Sequence, residues 1–293
     1  MLTVFASPKP FIDDHIATIQ RNAIRSWIRL EPRPRIILFG NEFGTAEICN
    51  EFSLTHIPDV KVNEFGTPLL NDIFRKAEAY SSSSADLLCY VNADIILMSD
   101  FTRALELVAA RKSRFLMGAR PWNLNVTQEL SFDHGWEQMI SDHVASEGQL
   151  RSERSCDFFA FPHGLWGEIP PFAIGRAYFD NALLHRARRM GACLIDATPA
   201  VVSIHQNHGY PRHLDGADML DNTEALRNVA LAGGPGRRLT WKSSTYLVTD
   251  VGLQFNPLGF LRFFGPWSRT SKLLRQVIEA AKPVKRIFGL SRS

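Results

Sequence analysis

Residues 86–98 read DLLCYVNADIILM, and this stretch decides the fold. It is the strongest strand signal in the chain, although the polar trio Asn92-Ala93-Asp94 interrupts it. A polar break inside so apolar a strand costs free energy unless a partner compensates for it. Side chains at positions i and i+2 of an extended chain point to the same side. Asn92 and Asp94 can therefore reach one divalent cation, which prefers oxygen ligands; the alternative is a solvated turn.

Strands and helices alternate on both sides of this stretch. Short apolar runs bounded by Pro or Gly indicate strands, and apolar residues at helical spacing indicate helices. The pattern predicts strands over residues 3–7, 35–40, 60–65, 86–98 and 114–119, and helices over 11–30, 44–52, 69–80 and 101–112. Ser99 or Asp100 is the expected N-cap of the last helix.

This alternation is typical of a parallel sheet with helices on both faces. We therefore predict an α/β fold with a mostly parallel central sheet flanked by helices, which binds ligands at the carboxyl ends of its strands. The second half is less regular. It predicts a helix over residues 136–150, a strand over 156–161, a helix over 179–191 and one or two strands within 194–205.

Composition and charge restrict the classes of function. The chain has 293 residues, of which 45% are apolar, and a net charge of +3. Residues 262–293 carry +7 and residues 1–261 carry −4, so the body lacks the basic face of a nucleic-acid binder. The four cysteines form no CxxC pattern, and neither a signal peptide nor an 18-residue apolar run is evident. These features predict a soluble, cytoplasmic protein that does not bind nucleic acid.

The C-terminal segment, residues 258–293, predicts a basic amphipathic helical tail. It opens with the aromatic stretch LGFLRFFGPW, and apolar residues then recur at helical spacing between Lys and Arg. Such a helix can lie on an anionic membrane surface. Alternatively, it packs against the rest of the chain with its basic face in water.

Several further polar residues stand at predicted strand or helix ends. His205 opens HQNH (205–208) after an apolar run and can bind a metal or a phosphate, or belong to a polar loop. Asp180 in FDN (179–181) starts a helix, either as its N-cap or as a general base. Asp157 lies at a strand edge. Arg120 and Arg176 each contact substrate or form a surface ion pair.

The order of these features resembles the GT-A superfamily of nucleotide-diphospho-sugar transferases, in particular the glycosyltransferase family 2-like members. The resemblance covers roughly residues 1–210. It rests on YVNADIIL (90–97), similar to the family's DxD motif, on FDN (179–181) at the place of its acidic base motif, on His205, and on VFASPKPF (4–11) and ILFGNEFG (37–44), which resemble its nucleotide-binding loops. Two positions depart from the pattern: Asn92 replaces the first aspartate, and Phe179 stands where a glutamate often precedes the base.

The resemblance implies a role for each matching residue. Asp94 and His205 would hold a divalent metal, Mn²⁺ or Mg²⁺, and Asp180 would be the catalytic base. The nucleotide-sugar would contact Ser7, Lys9, Asn41, Glu42, Asn92, Arg120 and Asp157, and Arg176 would contact the acceptor. Residues 1–257 would form the catalytic domain, with a nucleotide-sugar half (1–120) and an acceptor half (121–257).

The implied activity is hexosyl transfer to an acceptor hydroxyl in bacterial polysaccharide or glycolipid synthesis. The partners would be a nucleotide-sugar donor and a carbohydrate or lipid-linked acceptor, with peripheral contact to the inner face of the membrane through residues 258–293. Two alternatives remain. One is a non-catalytic protein that binds a nucleotide or a partner. The other is a sugar-phosphate nucleotidyltransferase, which the absence of glycine from Ser7-Pro8-Lys9-Pro10 disfavours.

Overall fold

The computed structural model describes residues 1–81, 83, 85–209 and 222–263. Its strands are β1 (Leu2–Ala6), β2 (Arg35–Phe39), β3 (Thr55–Ile57), β4 (Leu87–Val91), β5 (Ile95–Ile96), β6 (Phe115–Gly118), β7 (Trp122–Leu124), β8 (Gln149–Leu150), β9 (Phe158–Pro162), β10 (Cys193–Asp196), β11 (Ile204–Gln206), β12 (Tyr246–Thr249) and β13 (Gly252–Phe255). Its α-helices are α1 (Asp14–Ile28), α2 (Thr45–Phe52), α3 (Leu70–Ala79), α4 (Ser99–Ala109), α5 (Trp136–Glu147), α6 (Phe179–Arg189), α7 (Thr223–Leu231) and α8 (Pro257–Phe263).

A nine-stranded sheet forms the centre, in the order β13-β12-β10-β6-β9-β4-β1-β2-β3. The β4-β1-β2-β3 segment is parallel throughout, as are the β6-β10 and β10-β12 pairs. Strand β9 runs antiparallel to both of its neighbours, β4 and β6, and β13 runs antiparallel to β12. The predicted α/β fold with a mostly parallel central sheet is confirmed.

The sheet is covered by helices on both faces, which is why its strands read as nearly continuous apolar runs. Alternate residues of one strand enter opposite core layers. Val4 packs into the layer that contains Trp27 of α1, and Phe5 packs into the layer that contains Phe74 of α3. Phe5 and Phe74 meet edge to face with their ring centroids 5.2 Å apart.

A second, four-stranded sheet has the order β5-β11-β7-β8 and stands at the carboxyl end of β4. The turn at residues 92–94 separates β4 from β5, so the long strand predicted over residues 86–98 is two strands. Helix α1 fixes β5, because Trp27 donates a hydrogen bond from Nε1 to the carbonyl of Ile95 (2.9 Å) and Ser26 Oγ accepts one from the Leu97 N–H (3.2 Å).

Two local predictions are wrong. Residues 60–65 form no strand; Val62 makes an isolated bridge to Pro68, and the edge strand is the earlier β3. Neither Ser99 nor Asp100 is the N-cap of α4, which is Met98 and has no side-chain cap bond. The Asp100 carboxylate instead accepts a hydrogen bond from the N–H of Val202 (2.8 Å), so a tertiary contact took the place of the local cap.

The predicted tail lies mostly outside the described residues, which end at position 263. Residues 258–263 belong to α8, where Leu261 is buried and the rings of Phe260 and Phe263 lie under the guanidinium of Arg188. The membrane contact, the localisation and the domain boundary at residue 257 stay predictions. Within the described parts of the chain, every helix is too short or too polar to cross a bilayer.

Gly118 at the end of β6 should not tolerate a side chain. A Cβ there would lie 2.5 Å from Cζ2 of Trp241 and 2.8 Å from the carbonyl oxygen of Phe158. We expect Gly118→Ala to lower the free energy of unfolding by about 1–3 kcal/mol, because overpacking forces the buried indole to move. Urea denaturation measures this change. The matched control is Gly167→Ala, whose Cβ would meet its nearest atom at 3.9 Å; equal midpoints for the two variants would contradict the prediction.

Candidate metal and donor site

Three side chains that can bind a metal meet at the carboxyl end of β4. Potential ligand atoms of Asp94, His205 and His208 all lie within 4.8 Å of one another. His208 Nε2 is 2.9 Å and His205 Nε2 is 3.7 Å from Asp94 Oδ2. The sequence pointed to Asp94 and His205 at distant positions, and the fold brings them together with His208.

The pairing of β5 with β11 produces this arrangement. The register places His205 opposite Ile95, the residue next to Asp94. Gln206 then bonds through its backbone N–H to the carbonyl of Asp94 (3.3 Å), and His208 follows two residues later, beyond the end of the strand. Two histidines and one aspartate from segments about 110 residues apart thus face a common point.

Hydrogen bonding at the far side of His208 defines what its ring offers to the cluster. Its Nδ1 lies 3.0 Å from the carbonyl oxygen of Gly209, which can only accept, so Nδ1 carries the proton. Its Nε2 is 2.9 Å from Asp94 Oδ2 and 3.2 Å from the ammonium of Lys9. A carbonyl behind a histidine is the usual support of a metal ligand, so the ring of His208 is oriented as a metal ligand would be.

Two buried atoms of the cluster also lack partners. Asp94 Oδ1 and His205 Nδ1 have no hydrogen-bond partner among the described residues. Buried polar atoms without partners are rare and call for an explanation. A divalent cation fits this set, because carboxylates suit cations such as Mn²⁺ and imidazoles suit transition metals such as Fe²⁺ and Zn²⁺.

The pKa shifts of Asp94 and His205 favour the protonation states that bind metals. Burial alone would raise the pKa of Asp94, but the contact with His208 and the interactions with His205 and Lys9 bring that pKa below its ordinary value. Burial lowers the pKa of His205, despite the nearby carboxylates of Asp94 and Asp157. Asp94 is therefore charged and His205 neutral at neutral pH, which are the metal-binding forms of the two groups.

Lys9 brings a positive charge to the same place. Its ammonium lies 3.2 Å from His208 Nε2. The loop that carries it is fixed by Gln20 of α1, whose side-chain amide accepts from the N–H of Lys9 (2.7 Å) and donates to its carbonyl (2.9 Å). A charge held at this position can attract an anion, such as a diphosphate, beside the cluster.

Other predicted nucleotide residues lie along the same edge of the sheet. Ser7 follows β1 and Asn41 and Glu42 follow β2, two strands that run parallel to each other and, through β1, to β4. Ser7 Oγ is 3.7 Å from the position that a Cβ on Gly40 would take, so the two strand ends adjoin. Asn41 is exposed, and the carbonyl of Glu42 accepts from the N–H of Thr45, the first residue of α2 (3.0 Å).

Asn92, the first residue of the polar trio, pairs with Asp157 rather than with the metal cluster. Its Nδ2 is 3.3 Å from Asp157 Oδ1, and Arg151 binds the other carboxylate oxygen at 2.8 Å. Burial raises the pKa of Asp157, although the charge of Arg151 opposes this. Arg120 supports the same loop by donating from Nε to the carbonyl of Arg151 (2.7 Å).

Asp180 lies in the first turn of α6, where its Oδ1 accepts from the N–H of Asn181 (2.8 Å). It is not the N-cap; that residue is Tyr178, which has a left-handed φ of 82°. Burial raises the pKa of Asp180 to about 7, with a contribution from the nearby charge of Asp157. A carboxyl group with a pKa near neutrality can accept a proton from a substrate.

The three aspartates share one neighbourhood around Tyr90, near the end of β4. Burial raises the pKa of the Tyr90 hydroxyl, and the charges of Asp94, Asp157 and Asp180 each raise it further. The proposed metal ligand, the strand-edge acid and the proposed base thus act on one buried phenol. The structure brings these separately predicted acids into a single electrostatic environment.

Arg176 is engaged elsewhere. Its Nε forms an ion pair with Glu224 of α7 (2.5 Å), and its Nη2 lies 3.2 Å from Thr67 Oγ1. Glu224 also accepts from Asn63 Nδ2 (2.7 Å). This is the ion-pair alternative for Arg176, and its contact with an acceptor stays a prediction.

Sequence reasoning did not assign a role to His208, Arg151 or Gln206. His208 was visible in HQNH, but nothing local distinguishes a histidine that follows a strand from one in a polar loop. Arg151 is recognisable only through its contact with Asp157, which is formed across a loop. A strand-terminal HxxH opposite a polar strand break is the signal that could have selected His208.

No protein-family model and no curated protein matches this chain. Among solved structures, it is similar to glucosyl-3-phosphoglycerate synthase from Mycobacterium tuberculosis in complex with phosphoglyceric acid, at 16% identity over 82% of this chain and 86% of that chain, with a TM-score of 0.49. It is also similar to the same enzyme with Mn²⁺, UDP and glucosyl-3-phosphoglycerate, at 14% identity over 80% of this chain and 81% of that chain, with a TM-score of 0.46. The form of that enzyme with Mn²⁺, UDP-glucose and phosphoglyceric acid is similar at 14% identity over 80% of this chain and 80% of that chain, with a TM-score of 0.47.

His208→Ala should weaken Mn²⁺ binding by at least about tenfold, because loss of even an outer partner of a metal ligand costs 10–100-fold in affinity. Electron paramagnetic resonance of free Mn²⁺ measures the dissociation constant. The control is His143→Ala, which removes a half-exposed histidine on α5 that pairs with Glu147. If His208→Ala and His143→Ala bind Mn²⁺ equally well, His208 is not a ligand.

The raised pKa of Asp180 should make stability depend on pH. An aspartate in the unfolded chain has a pKa near 4, whereas Asp180 has a pKa of about 7 in the folded chain. The folded state therefore holds the proton more tightly, and this contribution to stability is lost as pH rises from about 4 to 7. Asp180→Asn, which cannot ionise, should become more stable relative to wild type across that range.

Urea denaturation at several pH values measures this difference in the free energy of unfolding. Asp142→Asn is the control, since it removes an exposed carboxylate from α5 and so separates the effect of burial from that of one lost charge. A difference between Asp180→Asn and wild type that stays constant from pH 4 to 7 contradicts the prediction.

Proposed function

We propose that this protein transfers a sugar from a nucleotide-diphospho-sugar donor to an acceptor hydroxyl, with Mn²⁺ or Mg²⁺ as cofactor. The observation that carries the proposal is the cluster of Asp94, His205 and His208 at the carboxyl end of β4, together with Asp180, whose pKa is near 7 and whose charge, like that of Asp94, acts on Tyr90 of the same strand. Parallel sheets bind ligands at this edge. A metal site and a proton acceptor in one environment fit metal-assisted group transfer.

The donor would lie across the ends of β1, β2 and β4. Ser7, Asn41 and Glu42 would contact the base and ribose, and Asn92 with Asp157 would contact the ribose or sugar. Asp94, His205 and His208 would hold the cation, which when bound neutralises charge on the departing nucleoside diphosphate. Lys9 would add a second positive charge on the diphosphate side, and Arg120 would support this edge through the loop of Arg151.

Asp180 would act as the base. The acceptor oxygen forms a bond to the anomeric carbon while the bond from that carbon to the diphosphate oxygen breaks, and the acceptor proton moves to the Asp180 carboxylate. A pKa of about 7 allows the carboxylate to exist near neutral pH and still gain basicity from its buried position.

The acceptor side is proposed from position in the chain. Residues 121–257 would form it, and Arg176 would contact a carbohydrate or lipid-linked acceptor when not fully engaged by Glu224. Reaction in the cytoplasm, in the synthesis of a bacterial polysaccharide or glycolipid, is part of the same proposal. The first alternative is a protein that binds the nucleotide or a partner without turnover, which Asn92 in place of an acid favours. The second, a sugar-phosphate nucleotidyltransferase, is disfavoured by the absence of glycine from residues 7–10.

A thermal-shift screen tests the donor site. UDP, GDP, CMP and dTDP are each added with and without Mn²⁺ to wild type, Asp94→Ala and the control His143→Ala. We expect one nucleotide to raise the melting temperature only with Mn²⁺, because a ligand at a hundredfold excess over its Kd adds about 2.7 kcal/mol to the stability of the native state. The shift should disappear in Asp94→Ala and persist in His143→Ala.

The other outcomes separate the hypotheses. A shift that needs no metal and survives Asp94→Ala would remove Asp94 as a ligand. No shift with any nucleotide would contradict a donor site. Binding of the nucleotide without any release of it from the corresponding nucleotide-sugar, even with a range of sugar acceptors, would favour the non-catalytic alternative.

A further inference from the structure

Gln206 lies between the two histidines of the cluster in sequence, and its side chain points away from them. It is fully buried, with 0% of its surface exposed. Its amide nitrogen donates to the carbonyl of Asp94 (3.0 Å) and to that of Ile19 in α1 (2.7 Å). Because its backbone N–H also bonds to the Asp94 carbonyl (3.3 Å), one residue holds that carbonyl twice.

A second buried amide completes the arrangement. Asn22 of α1, also 0% exposed, donates from Nδ2 to Gln206 Oε1 (3.1 Å) and to the carbonyl of Gln128 (3.0 Å). Its Oδ1 accepts from the N–H of Leu130 (2.8 Å). Each amide uses its two donors and its oxygen, so the pair is fully satisfied.

These contacts permit a single orientation for each amide. If Gln206 were flipped, its oxygen would face the two carbonyls of Asp94 and Ile19, and if Asn22 were flipped, its oxygen would face the carbonyl of Gln128. Both would leave buried groups unpaired, at considerable cost. A satisfied buried network of this kind is rigid.

The network joins the two segments that carry the cluster. One is the turn with Asp94, and the other is the strand end with His205 and His208. The helix α1 stands behind both, since Ile19 and Asn22 belong to it. The position of the carboxylate relative to the imidazoles is thus set from outside the cluster.

We propose that Gln206, supported by Asn22, is a positioning residue that sets the metal affinity of the Asp94–His205–His208 cluster. The inference rests on the proposed metal site. The amide touches no ligand atom directly, and it acts by fixing the Asp94 backbone against the segment 205–208. Ligand sets held within a fraction of an ångström bind metals more tightly than ones that must reorganise.

The test compares Mn²⁺ affinity with thermal stability in wild type, Gln206→Met, Asn22→Ala and the double variant. Met preserves the length of the side chain but donates no hydrogen bond. We expect Gln206→Met to weaken Mn²⁺ binding by about tenfold, the lower end of the range for lost outer partners of metal ligands, because the amide acts only through the Asp94 backbone. Asn22→Ala should have a smaller effect, and no additional effect in the Gln206→Met background, because its influence passes through Gln206.

The matched control is Asn228→Leu. Asn228 is another buried amide bound to backbone, accepting from the N–H of Ala173 (2.9 Å) and donating to the carbonyls of Ala173 (3.1 Å) and Ala177 (3.2 Å). Its loss should lower the melting temperature to a similar extent while Mn²⁺ affinity stays the same. This control separates a loss of stability from a loss of positioning.

Each outcome decides the matter. If Gln206→Met is less stable but binds Mn²⁺ within twofold of wild type, Gln206 is only structural and the inference fails. If Gln206→Met does not fold, Asn22→Ala decides by the same criterion. A wild-type protein that binds no Mn²⁺ overturns the metal site of the proposed function, and this inference with it.

Discussion

The antiparallel contact between β5 and β11 is the interaction on which the site depends. It is short, because β5 has only two residues, yet it joins the turn after the central strand to a segment about 110 residues later. Helix α1 supports it from behind through Trp27, Asn22 and Ile19. Without this contact, Asp94 would face solvent alone and the two histidines would end an unrelated strand.

The polar break inside residues 86–98 acquires a physical meaning in this setting. Asn92 turns to Asp157, Asp94 turns to the histidines, and the carbonyl of Asp94 is held by Gln206. Each polar group that leaves the apolar strand has a partner or a place in the cluster. The exception is Asp94 Oδ1, which together with His205 Nδ1 is the strongest sign that the described residues alone do not complete the site.

Much of the fold could be predicted from the sequence, because strands covered on both faces and amphipathic helices leave strong periodic signals. The strand at the edge of the central sheet could not be predicted in this way. Strand β3 is only three residues long and half-buried, so it carries little apolar signal, and the stretch at 60–65 looked more like a strand than it. The prediction of the N-cap of α4 was wrong for a different reason: the Asp100 carboxylate bonds to Val202, which is 102 positions away.

The candidate site shows the same division. Asp94, His205 and Asp180 were accessible because each follows or begins a recognisable element. The pairings between distant residues could not be predicted from the sequence, because they depend on loops or helices that meet only in the folded chain. They are Arg176 with Glu224, Asn92 with Asp157 and Gln206 with Asn22. The local sequence pattern identifies polar residues that interrupt or end apolar elements. Only the tertiary structure shows which residues they contact.

The reversed direction of β9 has a consequence for the chain that follows it. Its first residues, rather than its last, meet the ligand edge, where Asp157 adjoins Asn92. The chain after β9 emerges at the opposite edge, where His163 bonds to the carbonyl of Asp86, and residues 163–178 then return to bring Asp180 back. A longer or shorter return path at that far end would therefore leave Asp157 and its contact with Asn92 in place, because both lie at the other edge of the sheet.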